Sequence, residues 1–367
     1  MFETSGATAQ GNTLRAQWEP LVEITQHKGE SECRSGFGTN DENCDFEKIP
    51  WAAIGDSRNP NQPFQPLSFV RTALLQGLVE EDRTGVNPYR FGFVGGTDTH
   101  SAAPGAVEEY NYPGHVGFAE STPEFRLTTF GQIPGGVDAN PGGLTVLWAE
   151  ENTRESLWHA MKRREAYATS GTRPVVRFFG GYYLPDRLCD IHDYAAIAYL
   201  TGVPMGSTLP PPIISKLTPP KFSVLALQDP GTAENPGTPL QQVQIIKGWT
   251  DATGATHEQV YNVTGDPANG ATVDLSTCTP HGADFSSLCT VWQGPDFEPD
   301  QRAFYYARVL ENPSCRWSTW ECVRSGITCN GTVPSKPGFE ACCNPDVPKT
   351  IQERAWTSPI WYEPHSS

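Results

Sequence analysis

An aspartate and a histidine stand two residues apart where a short apolar run ends in glycines. The segment FGFVGGTDTHSAAPG covers residues 91–105 and carries Asp98 and His100 directly after the glycine pair. Its first residues predict a buried strand. If that strand continues to His100, both side chains lie on one face and reach a common metal ion. The other interpretation is an aspartate that caps a turn beside a surface histidine. The first interpretation makes Asp98 and His100 candidate catalytic residues and metal ligands.

A second group of polar residues follows a predicted strand near the N-terminus. Glu23 lies among apolar neighbours in PLVEIT, where an unpaired charge is costly to bury. Its partner is a metal ion, a cation such as Lys28 or a backbone donor; otherwise Glu23 faces water on an edge strand. His27, Lys28 and Glu32 cluster in the loop that follows. They either line a site or form a solvated surface.

A long stretch rich in glycine and proline, residues 101–143, shows no convincing helix or strand periodicity. A loop of that length in a compact domain is usually a lid or a binding loop. It contains Glu108 and His115, which we add to the candidate residues that line the site.

The elements that position these residues alternate between strands and helices. Apolar residues at helical spacing predict an amphipathic helix over residues 68–81, between two predicted strands. This order indicates a parallel α/β layer with the helix on one face. A further strand is predicted at residues 144–149, and Asn152 as N-cap with Glu155 marks the start of the next helix.

The pattern changes after Pro174. Several short strand-like runs separated by Gly, Pro, Asn and Asp predict an antiparallel β-sandwich, and the end of the chain is rich in Cys and Trp. We therefore predict two domains. Residues 1–172 form an α/β domain, and residues 173–367 form a β-rich domain with a Cys-rich flank.

Composition argues against two classes of partner. The chain has 26 Lys and Arg against 42 Asp and Glu, and the net charge of -16 repels nucleic acid. It contains no apolar segment long enough to span a membrane, and its first residues lack the pattern of a signal peptide. The sequence does not indicate an oligomeric state.

The 10 cysteines point to disulfides. Cys33 with Cys44 and Cys278 with Cys289 each bracket a short polar loop, so we expect both pairs to form local disulfides. Cys189 stands alone in sequence and is expected to pair at long range. A zinc knuckle would need C-x-x-C pairs, and the sequence has none. Disulfides indicate a periplasmic or secreted protein.

Several segments together resemble the DUF3604 family of uncharacterised proteins, which is related to the PHP (polymerase and histidinol phosphatase) metal-dependent phosphoesterases. In chain order they are PLVEITQHKGESE, FGFVGGTDTHSAAPG, REAYATSGTRP, GVPMG, QIIKGW, AFYYARVLE and QERAWTSPIWY. The resemblance runs through nearly the whole chain. It implies a distorted β/α barrel with divalent metals at the carboxyl ends of its strands, which hydrolyses phosphoesters or related bonds of a small-molecule ester.

The resemblance also assigns roles to individual residues. Asp98 and His100 match the family's Asp-x-His, and Glu23 matches the strand glutamate that bridges metals. One imidazole and two carboxylates suit Zn, Mn or Fe. PHP-like proteins also carry a His-x-His on the first barrel strand, and this sequence has none. We therefore expect a partial barrel that lacks the family's N-terminal strands and some of its metal ligands.

Two hypotheses follow from these observations. The first is a metal-dependent hydrolase in which Asp98, His100 and Glu23 hold the metal. The second is a fragment without catalysis that serves as a secreted binding or assembly module. Convergence of the three side chains in one concave pocket favours the hydrolase, and their dispersal favours the fragment.

Overall fold

The protein is described by a computed structural model that covers residues 2, 4, 6–39, 41–48, 65–128, 136–213, 215, 217–283 and 285–364. The α-helices within these ranges are α1 (Ala9–Trp18), α2 (Val70–Thr84), α3 (Pro123–Arg126), α4 (Arg154–Lys162), α5 (Tyr194–Thr201), α6 (Trp317–Arg324) and α7 (Glu340–Cys343). The first strands are β1 (Leu21–Gln26), β2 (Gly29–Glu30), β3 (Gly92–Gly95), β4 (Leu144–Leu147), β5 (Ala166–Thr169), β6 (Val175–Gly181) and β7 (Val203–Pro204). The remaining strands are β8 (Lys221–Leu227), β9 (Leu240–Thr250), β10 (Thr256–Gly265), β11 (Thr272–Asp274), β12 (Thr279–His281), β13 (Ser287–Gln293), β14 (Ala303–Glu311), β15 (Ser314–Cys315), β16 (Cys329–Asn330), β17 (Val333–Pro334), β18 (Thr350–Ile351), β19 (Arg354–Thr357) and β20 (Ile360–Tyr362).

A small α/β layer carries the predicted site. Strands β1 and β3 pair in parallel, with Leu21 opposite Gly92, and helix α2 lies between them in sequence. The helix forms because its apolar positions, including Ala73, Leu74 and Leu78, recur at helical spacing and are buried. It ends at Gly85, whose φ of 79° is accessible to glycine without strain. The predicted strand, helix and parallel strand are confirmed.

A seven-stranded sheet forms the centre of the molecule. Its strand order is β10-β9-β14-β19-β5-β4, and β20 also pairs with β14. All nine residues of β14 are buried, because both faces of the sheet are covered. Neighbouring residues enter different cores: Tyr305 packs against Phe222 of β8, and Phe304 belongs to the core that contains Leu74 of α2.

A second sheet covers one face of this central sheet. Its strand order is β13-β8-β6-β7, and its pairings are antiparallel, as predicted for the region after Pro174. The central sheet contains β4 and β5 as well as strands from after residue 173. It therefore joins the two predicted domains, and the boundary between them stays a prediction.

The protein is a mixed α/β fold. The described residues form no closed barrel, since β1 and β3 are joined only by the short strand β2 in a three-stranded sheet. In the same ranges, no helix is long and apolar enough to cross a bilayer. Helix α4 begins one residue later than predicted: its N-cap is Thr153, whose Oγ1 accepts a hydrogen bond from the Ser156 N–H at 3.3 Å, and not Asn152.

All ten cysteines form disulfides. The pairs are Cys33–Cys44, Cys189–Cys289, Cys278–Cys315, Cys322–Cys342 and Cys329–Cys343. The Cys33–Cys44 pair and the long-range pairing of Cys189 are confirmed, but the predicted Cys278–Cys289 pair is wrong. Strand β13 pairs with β8 and carries Cys289 away from the turn that holds Cys278. Five disulfides fit an oxidising compartment.

Candidate metal site

The chain turns sharply between β3 and Asp98. Strand β3 ends at Gly95, so the strand does not continue to His100 and the condition for placing both side chains on one strand face is not met. Hydrogen bonds hold the turn: the Gly96 N–H donates to the Thr25 carbonyl at 3.0 Å, and the Gly143 N–H donates to the Gly96 carbonyl at 2.8 Å. Asp98 has a φ of 49°, a left-handed conformation that is uncommon for residues other than glycine. A constrained turn, and not strand alternation, sets the direction of its side chain.

His27 approaches Asp98 from the end of β1. The His27 Nδ1 lies 3.6 Å from Asp98 Oδ2, and this nitrogen is buried without a hydrogen-bond partner. The Asp98 side chain is 47% exposed, while that of His27 is 5% exposed. Burial, together with the nearby His115, lowers the pKa of His27 to about 4. The imidazole is therefore neutral at pH 7, which is the form that binds metals.

His115 and His100 complete a group of three imidazoles. The rings of His27 and His115 stack with centroids 3.9 Å apart and planes inclined by 23°. The His100 ring lies 5.9 Å from that of His115 and 6.4 Å from that of His27. The His100 N–H donates to the His115 carbonyl at 2.7 Å, which ties the Asp-x-His turn to the long loop. The predicted candidates His27, Asp98, His100 and His115 thus lie beside one another.

Glu23 lies on the exposed side of β1, opposite Val94 of β3. Its Oε2 accepts a hydrogen bond from Gln26 Nε2 at 3.3 Å. Its Oε1 lies 2.5 Å from the position that a Cβ would take at Gly96, so a larger residue at 96 would displace the carboxylate. Glycine at this position therefore lets Glu23 lie against the turn that leads to Asp98. Its role as a metal ligand stays a prediction.

Glu32 has a different environment from His27, although only five residues separate them. Its carboxylate is 1% exposed and contacts Arg71 Nη2 at 2.5 Å, Arg308 Nη1 at 3.1 Å and Trp356 Nε1 at 2.6 Å. Burial would raise the pKa of Glu32, but the two guanidinium groups hold it well below its usual range. These partners account for the burial of Glu32 without any ligand.

The other candidates have weaker links to the site. Glu108 pairs with Arg173 at 3.0 Å on a partly exposed surface. Lys28 is half-buried next to His27 in sequence. These surroundings identify no chemical role for Glu108 or Lys28, so both residues stay predictions.

The donor set fits one divalent ion only in part. Two ligands about 2.1 Å from a tetrahedral ion lie roughly 3.4 Å apart, which is close to the separation of His27 Nδ1 and Asp98 Oδ2. Three donor atoms within 4.8 Å of one another occur in the described ranges only at Cys33, Asp41 and Cys44, and the two sulfurs there form a disulfide. The structure thus brings one imidazole nitrogen and one carboxylate oxygen to a separation that suits a shared ion, with two further imidazoles nearby.

From the sequence alone, His27 and His115 carried less weight than Asp98 and His100. Both were assigned only to the lining of the site, because nothing in their neighbouring residues distinguishes them from other polar loop positions. Their stacking depends on how the long loop folds back over β1. The one available signal was that His27 directly follows a predicted strand, as Asp98 follows another.

Comparison with known proteins identifies a family. The family model described as protein of unknown function (DUF3604) matches residues 2–364. No curated protein and no solved structure gives a match.

Proposed function

We propose, from the premise that the chain belongs to the DUF3604 family, that it contributes to the metal centre of a PHP-like hydrolase acting on a phosphoester or a related small-molecule ester. One observation carries this proposal: the buried and unpartnered His27 Nδ1 faces Asp98 Oδ2 at 3.6 Å. Buried polar atoms normally have a partner, and an orphan beside a carboxylate suits a cation.

His27, Asp98 and His100 would hold a Zn, Mn or Fe ion, with Glu23 as a candidate ligand from the neighbouring strand. When bound, such an ion polarises the scissile ester and lowers the pKa of a coordinated water. The chain's own contribution is to present His27 as a neutral imidazole, because burial lowers its pKa to about 4. The parallel pair of β1 and β3 supports a partial PHP-like barrel, since both strands end at this site.

The proposed location is the periplasm or the cell exterior. Five disulfides support it, because such bonds persist in oxidising compartments. The sequence has no His-x-His, which would supply further metal ligands. We therefore expect this chain to bind metal weakly and to hydrolyse generic phosphoesters slowly.

A second candidate function is a binding or assembly module without catalysis. The observation that favours it is the lack of three converging donor atoms among the candidate ligands in the described parts of the chain. The two candidates differ in one measurable property, which is specific metal binding.

Metal analysis of purified variants tests the proposal. In equilibrium dialysis against Zn, Mn or Fe, we expect the wild type to bind metal, and His27→Ala and Asp98→Asn to bind about tenfold less. His159→Ala is the matched control, because His159 is a surface histidine with a side chain 62% exposed. Equal metal content in the wild type and both site variants would refute the metal centre and favour the binding module. Hydrolysis of bis(p-nitrophenyl) phosphate, measured in parallel, reports whether bound metal supports turnover.

A further inference from the structure

The long loop contains a second buried pair next to the proposed site, His115 and Glu120. We infer that His115 is a further metal ligand and that Glu120 is the positioning residue that orients its imidazole. This inference rests on the proposed function, and it extends the site to a loop that follows the Asp-x-His turn.

The Glu120 carboxylate is held in one place by backbone donors. Its Oε2 accepts hydrogen bonds from the N–H groups of His115 and Val116, the latter at 2.8 Å, and its Oε1 accepts one from the Gly136 N–H at 2.7 Å. Glu120 is 0% exposed. A Cβ at Gly114 would lie 2.6 Å from Glu120 Cβ, so glycine there is required for the carboxylate to lie under the loop. A carboxylate fixed by three N–H groups is a rigid acceptor.

This rigid carboxylate selects the tautomer of His115. The His115 Nδ1 lies 3.3 Å from Glu120 Oε2. A lone pair on Nδ1 would face the negative oxygen, whereas an N–H there is attracted to it. Nδ1 therefore carries the proton, and Nε2 is left with the lone pair that binds a metal. Carboxylates that orient ligand histidines in this way are a common part of metal sites.

The stacking with His27 places the His115 ring beside the proposed ligands. Ring centroids 3.9 Å apart bring His115 alongside the imidazole that faces Asp98, and the carbonyl of His115 is bonded to the His100 N–H. The two imidazoles have different carboxylate neighbours, Asp98 for His27 and Glu120 for His115, and together they offer ring nitrogens to one ion.

The tautomer can be measured without any variant. In the metal-free wild type, the ¹⁵N chemical shifts of the histidine side chains should show His115 as the Nδ1–H tautomer. Observation of the Nε2–H tautomer would overturn the inference even if the protein binds metal. A purely structural role for His115 would not require either tautomer.

Metal affinity tests the role of both residues. Titration with Zn²⁺ against a chromophoric chelator should show an affinity about 10- to 100-fold lower for His115→Ala and Glu120→Gln than for the wild type. Glu124→Gln, an exposed glutamate of helix α3, is the control and should bind as the wild type does. Circular dichroism confirms folding, and Glu120→Asp replaces Glu120→Gln if the latter does not fold.

The outcomes separate this inference from the proposed function. If His115→Ala binds Zn²⁺ as the wild type does while Asp98→Asn does not, the inference is wrong and the proposed centre stands. If the wild type itself binds no Zn²⁺, both are wrong. Weaker binding by His115→Ala and Glu120→Gln, with the Nδ1–H tautomer in the wild type, supports the inference.

Discussion

The cluster around Glu32 and the histidine site around His27 both bury titratable groups, but they satisfy them differently. The Glu32 carboxylate contacts two arginines, Trp356 and Tyr306, so it is fully paired. The Nδ1 atom of His27 is buried without a hydrogen bond. A fully paired cluster stabilises the fold by itself, whereas an unpaired one suits a ligand that completes it. The comparison predicts opposite effects of mutation in the two regions.

The largest effect should come from removing the charge of Glu32. We expect Glu32→Gln to lower the free energy of unfolding by about 3–5 kcal/mol, because it leaves Arg71 and Arg308 buried with incomplete compensation. Urea denaturation measures this change. Arg187→Ala is the matched control, since Arg187 forms an exposed pair with Asp190 at 2.8 Å and such pairs contribute about 0–1 kcal/mol. Similar losses in the two variants would show that the Glu32 cluster is not the stabilising element.

A second test concerns Glu311, whose carboxylate is fully buried beside Thr172. Burial raises its pKa to about 8. Between its pKa in the unfolded chain, about 4.5, and pH 8, the folded state holds a proton that the unfolded state releases. Stability should therefore fall as pH rises through this window, by about 1.4 kcal/mol per pH unit.

Variants isolate the part of this pH dependence that belongs to Glu311. Glu311→Gln has no proton to lose, so its unfolding free energy should fall less steeply than that of the wild type between pH 6 and pH 8. Glu155→Gln is the control, because the Glu155 side chain is 87% exposed, and it should keep the wild-type slope. Identical slopes for the wild type and Glu311→Gln would show that Glu311 is ionised in the folded protein throughout this range.

The comparison also shows where sequence reasoning reaches its limit. Helix α2 and the parallel strands were predictable, because periodicity is a local property of the chain. His27 and Glu32 looked alike in one polar loop, and they differ only through distant partners: Arg71 is 39 residues from Glu32, and Arg308 is 276 residues away. Partners at such distances follow from the sheet that brings β14 beside α2, and local patterns do not contain that information.

The same limit applies to the candidate site and to the disulfides. Asp98 and His100 were identified from their spacing after a strand, but the direction of their side chains depends on a turn, because the strand ends at Gly95. His115 was only a weak candidate, because its position depends on the course of a long loop. The predicted Cys278–Cys289 pair was wrong for the same reason. Cys289 lies in β13, which pairs with the distant strand β8, and it forms its disulfide with Cys189.

The smallest effect on stability should come from Asp98, whose carboxylate faces His27. Its φ of 49° is costly for a residue with a Cβ, by about 1–2 kcal/mol, and costs glycine almost nothing. Asp98→Gly should therefore be about 1 kcal/mol more stable than Asp98→Ala in urea denaturation. Both variants remove the carboxylate that faces His27. Both should lose bound metal to the same extent. An Asp98→Gly protein that keeps its stability and loses its metal would show that the strained backbone at this turn serves the site and not the fold. If Asp98→Gly were instead less stable than Asp98→Ala, the side-chain contacts at this turn would matter more than its backbone conformation, and the histidine region would resemble the Glu32 cluster after all.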